Sequence, residues 1–125
     1  MNILNLEDII SEVRKFKNLK NGWDGYGSIA PTYKKIDSAV QILKNWPLEL
    51  GSPTIEPDID GNIIMEVIDD ESNEMISIDI VGAEVAFFSI IRGVSIIYQK
   101  KFNINDLSNQ LKISKNDSEN VYPRL

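Results

Sequence analysis

The chain has 125 residues, 42% of them apolar and 26% charged, with 13 basic against 19 acidic side chains for a net charge of −6. That length and apolar share suit one globular domain with a single core. Cysteine and histidine are both absent, which excludes disulfides, thiolate nucleophiles, Ser-His-Asp triads and the commonest metal ligands, and fits a reducing compartment such as the cytoplasm.

The start, MNILNLEDII, carries Glu7 and Asp8 and has no basic segment ahead of an apolar run, so no signal peptide is expected. Leu6, Ile9, Ile10, Val13 and Phe16 recur at helical spacing, which predicts a helix from about Leu6 to Leu19. Asn5 suits its cap with Asp8 as the reciprocal acid, and Asn21-Gly22 supply a left-handed stop. A second helix is expected from Pro31, carried by Tyr33, Ile36, Val40 and Leu43 and ended by Pro47.

From Pro53 the apolar period changes to two. Asp60-Gly61 signals a type I′ hairpin between strands Thr54 to Ile59 and Asn62 to Asp69, and Pro57 puts the first of these at a sheet edge. Glu74 to Val81 follows, with Ile76, Ile78 and Ile80 on one face and Met75, Ser77 and Asp79 on the other. Turns near Gly82 and Gly93 bound strands Glu84 to Ile91 and Val94 to Lys101. Both are apolar on two faces, so they are expected to be central or covered on both sides. The apolar stretch 85–98 is interrupted by Arg92 and Gly93 and is shorter than the roughly 20 residues of a membrane span, so a soluble protein is expected. Asn105 can cap a short last helix bearing Leu107 and Leu111. The expected fold is therefore α+β: two N-terminal helices, an antiparallel meander of about five strands and a short C-terminal helix, one domain over 1–113 with a flexible tail at 114–125.

Charge is unevenly distributed along this plan. Residues 1–48 hold seven basic and five acidic groups and residues 92–125 hold six and three, whereas 49–91 hold eleven carboxylates and no Lys or Arg. Such a block repels phosphates and attracts basic surfaces. Within it, Asp58-Ile59-Asp60-Gly61-Asn62 lacks the spacing of a calcium loop and reads as a hairpin turn. Asp69, Asp70, Glu71 and Glu74 gather carboxylates that a hard cation accepts, or simply form a solvated turn. Glu66 and Asp79, each set among apolar strand residues, would form an acid-base pair if one pKa were raised, or stand outward on a half-exposed sheet. Lys100, Lys101 and Arg92 are too few to make a nucleic-acid surface.

The segment Gly22-Trp23-Asp24-Gly25-Tyr26-Gly27-Ser28 admits two readings. Trp23 and Tyr26 can form a stacking platform for a sugar, base or peptide with Asp24 as acceptor. Alternatively the segment is a tight interhelical turn in which Trp23 plugs the core and Asp24 binds backbone N–H groups. Together with Pro31, Pro57 and Asp60-Gly61-Asn62-Ile63, this segment resembles a family of small, functionally uncharacterised bacterial proteins often carried on mobile elements. Members share a G-W-D-G-Y-G-[A/S] turn, a proline soon after and a later P…D-G-x-[I/V] hairpin. The similarity covers roughly residues 19 to 68. Members usually end the hairpin's second strand with Glu-Trp, where this chain has Glu66-Val67. The resemblance implies a fold and a genetic setting, and no activity.

These features point to a non-enzymatic acidic module that binds a basic protein partner, with no metal, no cofactor, no membrane and no direct nucleic-acid contact. The mobile-element setting makes an inhibitor of the antitoxin, immunity or anti-defence type the expected class, acting on a toxin, nuclease or other nucleic-acid-handling protein. Asp69, Asp70, Glu71 and Glu74 are the expected partner-steering residues, supported by Glu56, Asp58 and Asp79. The alternatives are a small-ligand binder using Trp23, Asp24 and Tyr26, and a homo-oligomer joined through the edge near Pro57 or an uncovered sheet face.

Overall fold

A computed structural model describes residues 5–69 and 72–116, with side chains as far as Leu111. Helix α1 (Leu6–Arg14) begins where the Asn5 side chain accepts the Asp8 N–H at 3.2 Å and returns a hydrogen bond to the Asp8 carboxylate at 2.9 Å. It tightens to a 3₁₀ turn over Lys15–Asn18 and turns extended at Leu19, ahead of the expected stop. Helix α2 (Tyr33–Lys44) is capped by Thr32, not started by Pro31. Beyond its end Trp46 is buried, its indole N–H donating to Gly51 O at 2.7 Å, an anchor the sequence reading did not single out.

The five strands, β1 (Thr54–Pro57), β2 (Ile63–Asp69), β3 (Glu74–Ile80), β4 (Val85–Arg92) and β5 (Ser95–Asn103), form one antiparallel meander in chain order. Helix α3 (Ile104–Asn116) follows directly, its first turn capped by Asn103 where Asn105 was expected. It runs past residue 113, and the rest of the tail, 117–125, lies outside the described residues. The class is α+β. No helix among the described residues is long and apolar enough to cross a membrane.

All three α-helices lie on one face of the sheet. Cross-strand register brings Ile63, Met65, Ile78, Ile80, Ala86 and Phe88 to that face, where they meet Ile36, Ile42 and Leu43 of α2 and Leu107 and Leu111 of α3 in one buried core. Each fully buried side chain of this size contributes about 1.5–3 kcal/mol. Tyr33, expected on the apolar stripe of α2, is exposed, its ring stacked under Lys17.

Two expectations about the strands meet different fates. Pro57 does lie on an edge strand. The Asp58 N–H bonds Asn62 O at 2.9 Å, so with alternating pairing the groups of Ile55 and Pro57 point outward, and the missing N–H of Pro57 faces solvent at no cost. β5, expected to be central or covered on both sides, is the opposite edge, with Val94, Ile96 and Ile97 at 101%, 57% and 46% exposure. A meander leaves its last strand unpaired on one side, and an apolar run alone does not reveal that.

The β1–β2 hairpin also differs from the expected type I′ turn. Gly61 has φ of +81° while Asp60 does not have positive φ, and the loop is three residues long between Asp58 and Asn62. The Asp58 carboxylate shapes it by accepting the N–H groups of Asp60 at 2.8 Å and Asn62 at 2.9 Å. Gly61 sits against the chain leading into α2, where an added Cβ would lie 3.0 Å from Ile29 Cγ2 and 3.2 Å from Ala30 O. Gly25 has nearly the same φ, +83°, with nothing within 4 Å of such a Cβ. Gly25→Ala should therefore cost only the left-handed backbone penalty of about 1–2 kcal/mol. Gly61→Ala should cost about 1 kcal/mol or more beyond that. Urea unfolding of the two variants checks this, and equal losses would mean that the close approach carries no energy.

Candidate functional site

Among the described residues no helix lies on the second sheet face. Register across the strands sets its composition in three rows. One runs Glu56, Ile64, Asp79, Phe87, Lys101; the next Thr54, Glu66, Ser77, Ser89, Gln99; the third Ile68, Met75, Ile91, Ile96. The result is a mixed face, with a wholly polar middle row between two rows that carry the apolar residues, acids toward β1–β3 and a lysine on β5. Ile68 and Ile96, at 66% and 57% exposure, mark its uncovered end.

A hollow of about 300 Å³ opens on this face, lined by Ser77, Asp79, Phe87, Ser89, Ile91, Ile96 and Gln99. Gln99 donates its side-chain N–H to Ser89 Oγ at 3.0 Å. Asp79 is half-buried between Ile64 and Phe87, and its Oδ1 is buried with no hydrogen-bond partner. Two other buried polar atoms among the described residues lack partners, the hydroxyls of Tyr98 and Ser108, but these are neutral groups. Burial pushes the Asp79 carboxyl above its usual range, the negative charge of Asp58 pushes it further, and Lys35 offsets part of this.

The acids singled out in the sequence lie in different settings. Glu74 is held by Arg92, and Asp69 accepts the Ser72 hydroxyl at 2.8 Å. Asp70 and Glu71 lie outside the described residues. No group of three acidic side chains that could hold a metal gathers among the described residues. Asp58 is committed to its hairpin, while Glu56 is exposed on the open face. Glu66 and Asp79 share that face as diagonal neighbours, a relation that sets residues about 7–8 Å apart. The like charge that acts on Asp79 is nevertheless Asp58.

The aromatic turn is committed as well. Asp24 Oδ1 accepts the N–H of Tyr26 at 2.8 Å, the N–H of Ser28 at 3.2 Å and the Ser28 hydroxyl at 2.6 Å. These bonds, that from the Ser28 hydroxyl foremost, hold its carboxyl below the usual range. Trp23 is half-buried with its indole N–H on Ile29 O at 3.2 Å, and Tyr26 stands 93% exposed. The arrangement is that of a self-bonded turn.

No family model, curated protein or solved structure matches this chain. The open face is the candidate site. Its apolar members Ile64, Phe87 and Ile91 and its polar Ser89 and Gln99 were not singled out in the sequence. Their signal was the second register of the period-two strands, visible in Met75, Ser77 and Asp79 and obscured in β4, where apolar residues occupy both faces.

The two shifted carboxyls predict opposite pH behaviour. Asp79 binds its proton more tightly folded than unfolded, so it contributes most to stability below pH about 4 and that contribution is lost as pH rises through its raised value. Asp79→Asn should raise the melting temperature at pH 7, with the gain shrinking toward pH about 3.5. Asp24 behaves in reverse. Asp24→Asn should lower stability at pH 7, with the loss fading as pH falls below about 3.8. Thermal melts from pH 3 to 7 test both signs.

Proposed function

We propose that this chain is a non-enzymatic protein-binding module that docks through its open sheet face onto a surface combining apolar and basic groups. The observation that carries this reading is a five-stranded face, uncovered among the described residues, on which Glu56, Glu66 and Asp79 lie among Ile64, Met75, Phe87 and Ile91. Among the described residues the ion pairs are Lys15–Glu12, Lys17–Asp37 and Arg92–Glu74, so none engages these three acids. Apolar area gives such a contact its free energy, while unpaired acids select a basic partner and speed its capture. With the resemblance to mobile-element proteins, the reading is an inhibitor of a basic, nucleic-acid-handling partner in the cytoplasm, its carboxylates standing where phosphates would bind. The loop acids Asp69, Asp70, Glu71 and Glu74 then add long-range steering.

Self-association through the same face fits less well. A two-fold axis along the strands would set Glu56 over the second copy's Lys101, which is favourable, but it would also set β3 on β3 and oppose two Asp79 carboxylates. A heterologous partner avoids that repulsion.

The test is affinity capture from the native host at low and moderate salt with three baits: wild type, Glu56→Lys/Glu66→Lys, and the loop charge reversal at 69, 70, 71 and 74. The face double variant should lose at least about tenfold in affinity, equivalent to about 1.4 kcal/mol, for a salt-sensitive basic partner. The loop variant should mainly slow its capture. Unchanged capture by the face variant would refute docking through this face.

A further inference from the structure

We propose that the hollow at the centre of the open face is a seat for an arginine side chain of the partner, with Asp79 as the ion-pair acceptor and the Phe87 ring as the wall against which the guanidinium stacks. The inference rests on the docking reading above and names the side chain that the face receives. Two features of Asp79 support it. Asp79 Oδ1 is buried without a partner, so the cost of burying this carboxylate is uncompensated within the chain, and its other oxygen is the one a donor in the hollow would reach. The charge itself is unusual at this place, because an asparagine of the same shape would avoid the cost of keeping a carboxylate there. A residue that costs stability and lies in a hollow on an unpartnered face is better explained by binding than by folding.

The lining favours a guanidinium over an ammonium. Its acceptors are dispersed, with the Asp79 carboxylate and the Ser77 hydroxyl on β3 and the Gln99 side-chain carbonyl on β5, and the Gln99 amide is oriented by its bond to Ser89 at 3.0 Å. Five donors in a planar fork can meet acceptors spread in this way, whereas a compact ammonium satisfies a single centre. Phe87 and Ile91 offer the flat apolar surface on which a weakly hydrated planar cation rests. Asp58 is close enough to act on Asp79 and adds negative potential. Lys101, opposite Phe87 in the ladder, and Lys35, bonded to the β1–β2 hairpin at Gly61 O and Asn62 Oδ1, oppose a cation, so the seat depends on the direct ion pair with Asp79. A volume of about 300 Å³ is at the lower end of ligand-sized clefts and suits one side chain rather than a cofactor.

The test uses N-acetyl-L-arginine amide as the probe and the citrulline analogue, which is neutral and of the same shape, as the control. Both are titrated into full-length protein while the Asp79 carboxyl carbon and the backbone amides are followed by NMR. The arginine probe should bind with a dissociation constant on the order of 1 mM. It should shift Ser77, Asp79, Phe87 and Gln99 together and lower the Asp79 titration midpoint, with citrulline at least tenfold weaker. Asp79→Asn, whose folded spectrum serves as its own control, should abolish the response. Equal binding of citrulline, equal shifts at Glu56 and Glu66, or an unchanged response in Asp79→Asn would each overturn the seat. The two readings fail separately. Loss of partner capture in the face variant without arginine selectivity removes the seat and leaves docking standing. Arginine selectivity with partner capture unchanged in the face variant removes docking, and with it the partner as the source of the arginine.

Discussion

Two loops built on one device, docked against each other, tie the entry of α2 to the β1–β2 hairpin and so set how the helical layer sits on the sheet. In Asp24-Gly25-Tyr26-Gly27-Ser28 the first carboxylate gathers the N–H groups two and four residues ahead, at 2.8 and 3.2 Å. In Asp58-Ile59-Asp60-Gly61-Asn62 the Asp58 carboxylate does the same at 2.8 and 2.9 Å. Each has a glycine of positive φ in the fourth position, Gly27 and Gly61. The loops meet where the Ile29 N–H bonds Ile59 O at 2.9 Å and Gly61, lacking a Cβ, admits Ile29 and Ala30. Lys35 of α2 closes the joint by donating to Gly61 O at 3.3 Å and to Asn62 Oδ1 at 3.0 Å. Short carboxylates that satisfy local N–H groups hold such turns without help from the core.

This joint also explains why the most conspicuous segment of the chain is a poor candidate for a binding site. Trp23 and Asp24 combine an aromatic surface with an acceptor, yet both polar functions are used inside the turn, on Ile29 O and on the N–H groups of Tyr26 and Ser28. The two parts of the resemblance motif, the G-W-D-G-Y-G-S turn and the D-G-N hairpin, are then one structural unit read twice along the chain. Asp79 is the counterexample. It has no motif around it, its neighbours on the face are Ile64 and Phe87, and its exposed cost is what marks it.

The sequence made the architecture legible because periodicity is a local signal. The stripe Ile10, Val13 of α1, the buried alternation Ile76, Ile78, Ile80, and the edge position of Pro57 all follow from spacing and from one missing N–H. What it hid was non-local. Two-sided apolar patterning in β4 and β5 arises here from a core face and an open face, and in buried sheets from two covering layers, and composition does not separate the cases. The type of the β1–β2 turn depended on Asp58, outside the Asp60-Gly61 pair that signals a hairpin. The acidic block was visible as a total, but the fold distributes it unequally: Asp58 into a turn, Glu74 onto Arg92, and Glu56, Glu66 and Asp79 onto the open face.

The edges decide what kind of docking the sheet allows. On β1 the outward positions are Ile55 and Pro57, so the edge offers an incoming strand a single N–H, that of Ile55. On β5 the pairing is broken by a register shift between Ile90 and Ile91, and Lys100 and Lys101 lie along the edge. A second β5 brought alongside would set like charges near each other, and lysines on an edge are a standard defence against strand addition. Both edges therefore discourage partners that would extend the sheet, including further copies of this chain. The face is not defended in this way: it keeps apolar residues exposed and leaves a carboxylate without a donor. The two edges thus resist strand pairing, while the open face combines the exposed Ile68 and Ile96 with the acids Glu56, Glu66 and Asp79.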